Sequence, residues 1–126
     1  GVLIAPSNPF VSVDPILGLP GLRAALKSSP GPTVAVSPIV GGQAIKGPAA
    51  KMMAELDIPV SAVGVASQYA GFVDAMVIDE VDRDQEAEIR SLGMDVLVTQ
   101  TVMRTLDDRK TLAWHCLDFI SRLGAS

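Results

Sequence analysis

Four short apolar runs, Val2 to Ala5, Thr33 to Val36, Ala75 to Asp79 and Val96 to Thr99, constrain this chain more than any other feature. Rich in β-branched residues and too short for helices, each reads as a strand, and helix-length segments lie between them. This alternation fits parallel β-α-β units with right-handed crossovers. The expected fold class is α/β: a parallel sheet of about four strands with flanking helices, the Rossmann-like half of a larger doubly wound fold.

The connecting segments carry helix signals. Leu19 to Leu26 places Leu22, Ala25 and Leu26 on one face, and Ser28-Ser29-Pro30-Gly31-Pro32 breaks it. Ser37 to Gly42 reads as a loop. Pro48 suits the first position of a helix from Ala49 to Leu56, which Asp57-Ile58-Pro59 closes. Ser61 is the expected N-cap of a helix to about Tyr69, although Gly64 weakens it. Asp82 is expected to cap a charged helix through Leu92, with Ile89 and Leu92 inward and Gly93 as C-cap. Asp107 or Asp108 opens a final helix to about Leu123, ended by Gly124.

At 126 residues the chain is expected to be one domain, 1–126, with one core. Its formal net charge of -4 gives no footprint for nucleic acid or for an anionic membrane surface. No apolar run approaches the roughly 20 residues of a membrane span. Cys116 is the sole cysteine, which excludes an internal disulfide or thiolate metal cluster and fits a reducing, cytoplasmic setting. Gly1 stands where an initiator Met is normal and strand residues follow at once, so the chain is expected to be part of a longer protein. An exposed edge on the first strand would then favour self-association, and a homo-oligomer is expected.

In a parallel sheet the C-terminal strand ends share one edge, where ligands bind. Ser7 and Asn8 follow the first strand, Ser37 and the Gly41-Gly42 pair the second, Asp79 ends the third, and Thr99 to Thr101 follow the fourth. These hydroxyls, amides and glycines suit phosphate oxygens and a nucleotide; none pairs a nucleophile with a base. In the loop from Gly41 to Lys51, two glycines permit close backbone approach, Lys46 can neutralise phosphate charge, and Gly47-Pro48 aims a helix N-terminus there. The order is not that of a Walker A loop. A plain strand-to-helix turn reads these residues equally well.

The motifs Ser7-Asn8-Pro9, Val11-Ser12-Val13-Asp14-Pro15-Ile16-Leu17, Val36-Ser37-Pro38-Ile39-Val40-Gly41-Gly42 and Lys46-Gly47-Pro48-Ala49-Ala50-Lys51-Met52-Met53 follow one another in order. Gly64-Val65-Ala66 with Tyr69, Val77-Ile78-Asp79 and Val98-Thr99-Gln100-Thr101-Val102-Met103 continue the series. Together they resemble the C-terminal portion of the 2-phospho-L-lactate / phosphoenolpyruvate transferase family of coenzyme F-420 biosynthesis. The resemblance implies transfer of a phosphoenolpyruvyl or 2-phospholactyl group from a GDP-linked donor to the ribityl hydroxyl of the deazaflavin Fo, releasing GMP with Mg2+. It also implies that the glycine-rich N-terminal loop and the main metal-binding aspartates lie outside this chain, leaving the isolated chain inactive.

Carried over by the resemblance, Ser7, Asn8 and Pro9 would meet the guanine nucleotide and its phosphates, with Ser12 and Val13 beside them. Ser37, Gly41, Gly42 and Lys46 are inferred as further phosphate or donor contacts. Gln43 stands where a Lys is expected and Gln100 where an Asp is expected. Lys46 would offset developing charge, and Asp14 would assist the metal or the hydroxyl; Asp14-Pro15 is also simply a good start for a helical turn. His115 reads as a partly buried structural histidine, Cys116 as core, Met52, Met53 and Met103 as packing, and Asp79 to Asp84 as a solvated loop with a helix cap. The alternative function is a non-catalytic nucleotide- or sugar-phosphate-binding regulatory domain of the related gluconeogenesis-factor group.

Overall fold

A computed structural model describes residues 1–44 and 47–124. Strand β1 (Val2–Ile4) leads through a π-helical turn (Pro9–Val13) into α1 (Asp14–Leu17) and α2 (Leu22–Ser28). Next come β2 (Thr33–Val36), β3 (Ile39–Val40), β4 (Gln43–Ala44), α3 (Ala49–Glu55) and α4 (Ala62–Tyr69). The remainder is β5 (Ala75–Asp79), a 3-10 turn (Glu80–Gln85), α5 (Glu86–Ser91), β6 (Asp95–Thr99) and α6 (Leu106–Gly124). The main sheet has the order β1-β2-β5-β6, every pair parallel, as the four apolar runs predict.

Consecutive strand order has a geometric consequence. Right-handed crossovers that always step the same way leave their helices on the same side of the sheet. The cores obey this: Ala35, Met76, Ile78 and Val96 pack with Val13, Leu17, Met53, Val65, Tyr69 and Ile89 from the crossovers. The alternate strand residues Val34, Val36, Ala75 and Val77 face the other side and meet only Leu112, Cys116 and Phe119 of α6 among the fully buried residues. Burial on both faces explains why the strands read as continuous apolar runs. At the end of the sheet, β1 pairs with β2 alone among the described residues, and Leu3 is 41% exposed.

Several local expectations need correction. The stretch from Ser37 to Gly42 is not a loop: β3 and β4 form an antiparallel hairpin around Gly41-Gly42. Both glycines have positive φ, 58° and 79°, as a two-residue type I′ turn requires. Asp82 caps no α-helix, because α5 begins only at Glu86; Asp79 caps the intervening 3-10 turn through Val81 N–H. The Asp79 to Asp84 run is a 3-10 turn capped by Asp79, with Glu80, Val81, Arg83 and Asp84 exposed as expected but Asp79 and Asp82 buried. Leu92, at the C-terminal cap of α5, is exposed, and so is Ala25, although Leu22 and Leu26 of the same helix pack against the core. The final helix is capped by Thr105, whose Oγ1 accepts from Asp108 N–H while the Asp108 carboxylate accepts from Thr105 N–H and Arg104 N–H.

The cap at Ser61 stands, its Oγ accepting from Gly64 N–H at 3.0 Å. Gly64 itself is explained by crowding, since a Cβ there would run into the Pro59 carbonyl and sit 2.9 Å from Met53 Cε. Gly64→Ala should therefore destabilise the fold by about 1–3 kcal/mol although alanine is the better helix former. A urea midpoint at or above that of the unsubstituted protein would refute this account.

Candidate functional site

A cleft of about 230 Å³ lies at the C-terminal edge of the sheet, lined by Pro6, Ser7, Asn8, Pro38, Thr101, Met103 and Arg109. Its walls come from the segments after β1, β2 and β6 and from the first turn of α6. This is the crevice position that a parallel sheet offers to ligands.

Asn8 shapes its own wall. Its Oδ1 accepts from Phe10 N–H at 2.9 Å, and its Nδ2 lies 3.5 Å from Met52 Sδ. The Asn8 carbonyl accepts from both Ser12 N–H and Val13 N–H, and the five-residue spacing of the second bond is what widens this turn into a π-helix. Pro9 is buried behind it. Across the cleft, Asp79 Oδ1 accepts from Thr101 N–H at 2.8 Å and from Thr101 Oγ1 at 3.2 Å. The strand ends are thus tied side chain to backbone.

The remaining residues singled out in the sequence fall elsewhere. Ser12 and Val13 line an apolar groove beside β1, not the cleft, and Val13 is part of the core. Ser37 is buried, with its hydroxyl donating to Ile39 O and accepting from Ile39 N–H. Gly41 N–H donates to the Asp82 carboxylate at 3.2 Å, so it is occupied inside the chain, and neither Gly41 nor Gly42 lines the cleft. Asp14 sits exposed at the start of α1, away from the cleft. Lys46 lies outside the described residues. Met103 is 40% exposed and forms cleft wall rather than core, while Met53 is fully buried and Met52 half-buried.

Arg109 was not anticipated from sequence. One turn before Leu112, it shares a helical stripe with the buried residues Leu112, Cys116 and Phe119. That stripe follows the sheet to its C-terminal edge, where Arg109 lines the cleft. The spacing 109-112-116-119 held the signal. His115 is exposed rather than partly buried, with Nδ1 3.0 Å from Thr99 Oγ1 in a neighbouring polar cleft. Cys116 is buried as expected, and burial pushes its thiol pKa up.

Asp82 and Gln85 brace the edge from below. Gln85 donates from Nε2 to Asp82 Oδ1 and accepts Val63 N–H at Oε1, joining the hairpin turn, the 3-10 turn and α4. Among the described residues no cluster of three or more His, Cys, Asp or Glu side chains could hold a metal ion. The Asp79 carboxylate is spent on Val81 and Thr101, and that of Asp82 on Gly41 and Gln85. The residues described here therefore do not assemble a Mg2+ site.

Residues 1–111 match the model of the family described as 2-phospho-L-lactate transferase CofD. The chain is 43% identical over 122 residues to the 2-phospho-L-lactate transferase of Methanocaldococcus jannaschii, covering 97% of this chain and 38% of that protein. It is 44% identical over 112 residues to the protein of the same name from Methanosarcina mazei, covering 89% of this chain and 36% of that one. The corresponding protein of Methanococcoides burtonii is 41% identical over 112 residues, again 89% of this chain and 36% of the relative. This chain belongs to the CofD family of transferases, and it spans little more than a third of the length of these curated relatives. No described helix is long and apolar enough to cross a membrane.

Burial raises the Asp82 pKa; the Gly41 N–H opposes this and the Asp79 and Asp84 charges add to it. With a folded pKa above its unfolded value of about 3.9, this carboxyl binds protons more tightly in the native state. Its ionisation thus costs stability above the folded pKa, and the cost is relieved as pH falls toward the unfolded value. Relative to Asp82→Asn, the unsubstituted protein should gain stability as pH drops from 7 toward about 4. Urea midpoints of the two proteins at several pH values check this, and parallel pH profiles would contradict it.

Proposed function

We propose that this chain, 1–126, is the C-terminal part of a longer transferase, and that its sheet-edge cleft forms part of the binding site for a GDP-linked donor. The reaction moves a 2-phospholactyl or phosphoenolpyruvyl group from that donor to the ribityl hydroxyl of Fo. The acceptor oxygen forms a bond to the phosphorus that bears the lactyl or enolpyruvyl group. The bond from that phosphorus to the GMP oxygen breaks, GMP leaves, and the hydroxyl proton passes to solvent or a base.

The observation that carries this reading is the convergence of Ser7, Asn8, Thr101 and Arg109 at the C-terminal sheet edge of a CofD-family chain. At about 230 Å³ the cleft is below the roughly 300–1,000 Å³ typical of complete small-molecule sites. It would hold one portion of the donor, with the remaining walls supplied by the rest of the full-length protein. This chain's share of the chemistry is positioning: rigid strand ends fix the donor, and a cation and hydroxyls meet its charge. Mg2+ belongs to this proposal through carboxylates elsewhere in the full-length protein, where it would neutralise phosphate charge. A homo-oligomeric, cytoplasmic enzyme completes the reading.

Calorimetric titration of the full-length protein with GDP tests the proposal. Binding is expected, and Ser7→Ala should weaken it by about 2- to 10-fold through loss of one hydrogen-bonding hydroxyl. A protein that ignores GDP and Fo but binds a uridine-diphosphate sugar would instead support the regulatory alternative.

A further inference from the structure

Resting on the donor-site reading, we infer that Arg109 pairs with the donor's phosphates, a charge-neutralising role for which the sequence had offered Lys46. The inference comes from counting what the cleft can give an anion. Backbone N–H groups often line phosphate sites. Of the seven residues lining this cleft, Pro6 and Pro38 have none, and those of Thr101 and Arg109 are donated to Asp79 Oδ1 and Thr105 O. That leaves side chains a large part of the charge recognition. Arg109 is the one cation among the cleft's lining residues.

Its neighbours leave it available. Arg90, Arg122 and Lys51 pair with carboxylates, whereas Arg109 forms no ion pair among the described residues. The adjacent Asp108 is turned away, its Oδ2 holding Arg104 N–H and Thr105 N–H in the helix cap. That same cap fixes the first turn of α6, and Leu112 anchors the next turn in the core. Arg109 thus borders the same cleft as Ser7 from a fixed base. A planar fork of N–H donors suits two oxygens of a diphosphate at once. In a chain of net charge -4, a local cation is also what makes this edge attractive to a dianion.

The test compares GDP and guanosine binding to the full-length protein and to its Arg109→Ala, Arg109→Gln and Arg109→Lys variants. Arg109→Ala and Arg109→Gln should each weaken GDP at least about tenfold, leave guanosine unchanged, and flatten the salt dependence of GDP binding. Arg109→Lys should retain part of the affinity as a point charge without the fork. Because Arg109 is exposed, all three should unfold at the same temperature as the parent. Three results would overturn the assignment: GDP affinity within twofold of the parent, equal losses for GDP and guanosine, or weakening only of 2-phospho-L-lactate. Absence of GDP binding to the parent would instead strike the donor-site reading itself, so the two failures are distinguishable.

Discussion

The carboxylate of Asp79 holds the functional edge of this molecule together. It ends β5 and accepts Val81 N–H on one side, then Thr101 N–H and Oγ1 on the other. Thr101 is thereby fixed beyond the end of β6, where it lines the cleft. A buried carboxylate is costly unless its lone pairs are met, and here backbone donors meet them. The arrangement satisfies the charge and spends the donors. The Thr101 backbone is consequently structural.

The consecutive strand order sets a second asymmetry. Because the crossovers stack on one face, the opposite face depends on α6 for cover. That helix has two tasks in one stripe: Leu112, Cys116 and Phe119 seal β2 and β5, and Arg109 overhangs the sheet edge. The Thr105–Asp108 cap couples them by fixing where the helix begins. A loss of packing on the second face would therefore be felt in the cleft, since the same rigid helix carries both.

The strands and their parallel arrangement were legible because the signal is local. Runs such as Thr33 to Val36 and Ala75 to Asp79 carry β-branched residues buried on both faces, and the register follows from topology. Ser61 and Cys116 were legible for similar reasons. What sequence reasoning missed depends on distant partners. Nothing adjacent to Asp82 reveals that it will accept Gly41 N–H from 41 residues away, so a helix cap was the natural local reading. Gly41-Gly42 suited an anion-binding loop as well as a hairpin, and the antiparallel pairing of Ile39 with Ala44 decides between them. Arg109 follows no strand end in sequence; its place is determined by the helix that packs behind the strands.

The same logic bears on how the cleft recognises its ligand. Pro6, Pro38 and Met103 stand among Ser7, Asn8, Thr101 and Arg109 in its walls, and burial of a charged group there requires that charge to be matched. Ser7 and Arg109 border the cleft from different elements, one from the turn after β1 and the other from α6. These elements are 102 positions apart in number but are joined mechanically through β2, β5 and the Asp79–Thr101 bonds. An anion bridging them would close a ring of contacts around the sheet edge. Any ligand that bound there would then add to the stability of α6, the helix that also packs the second core.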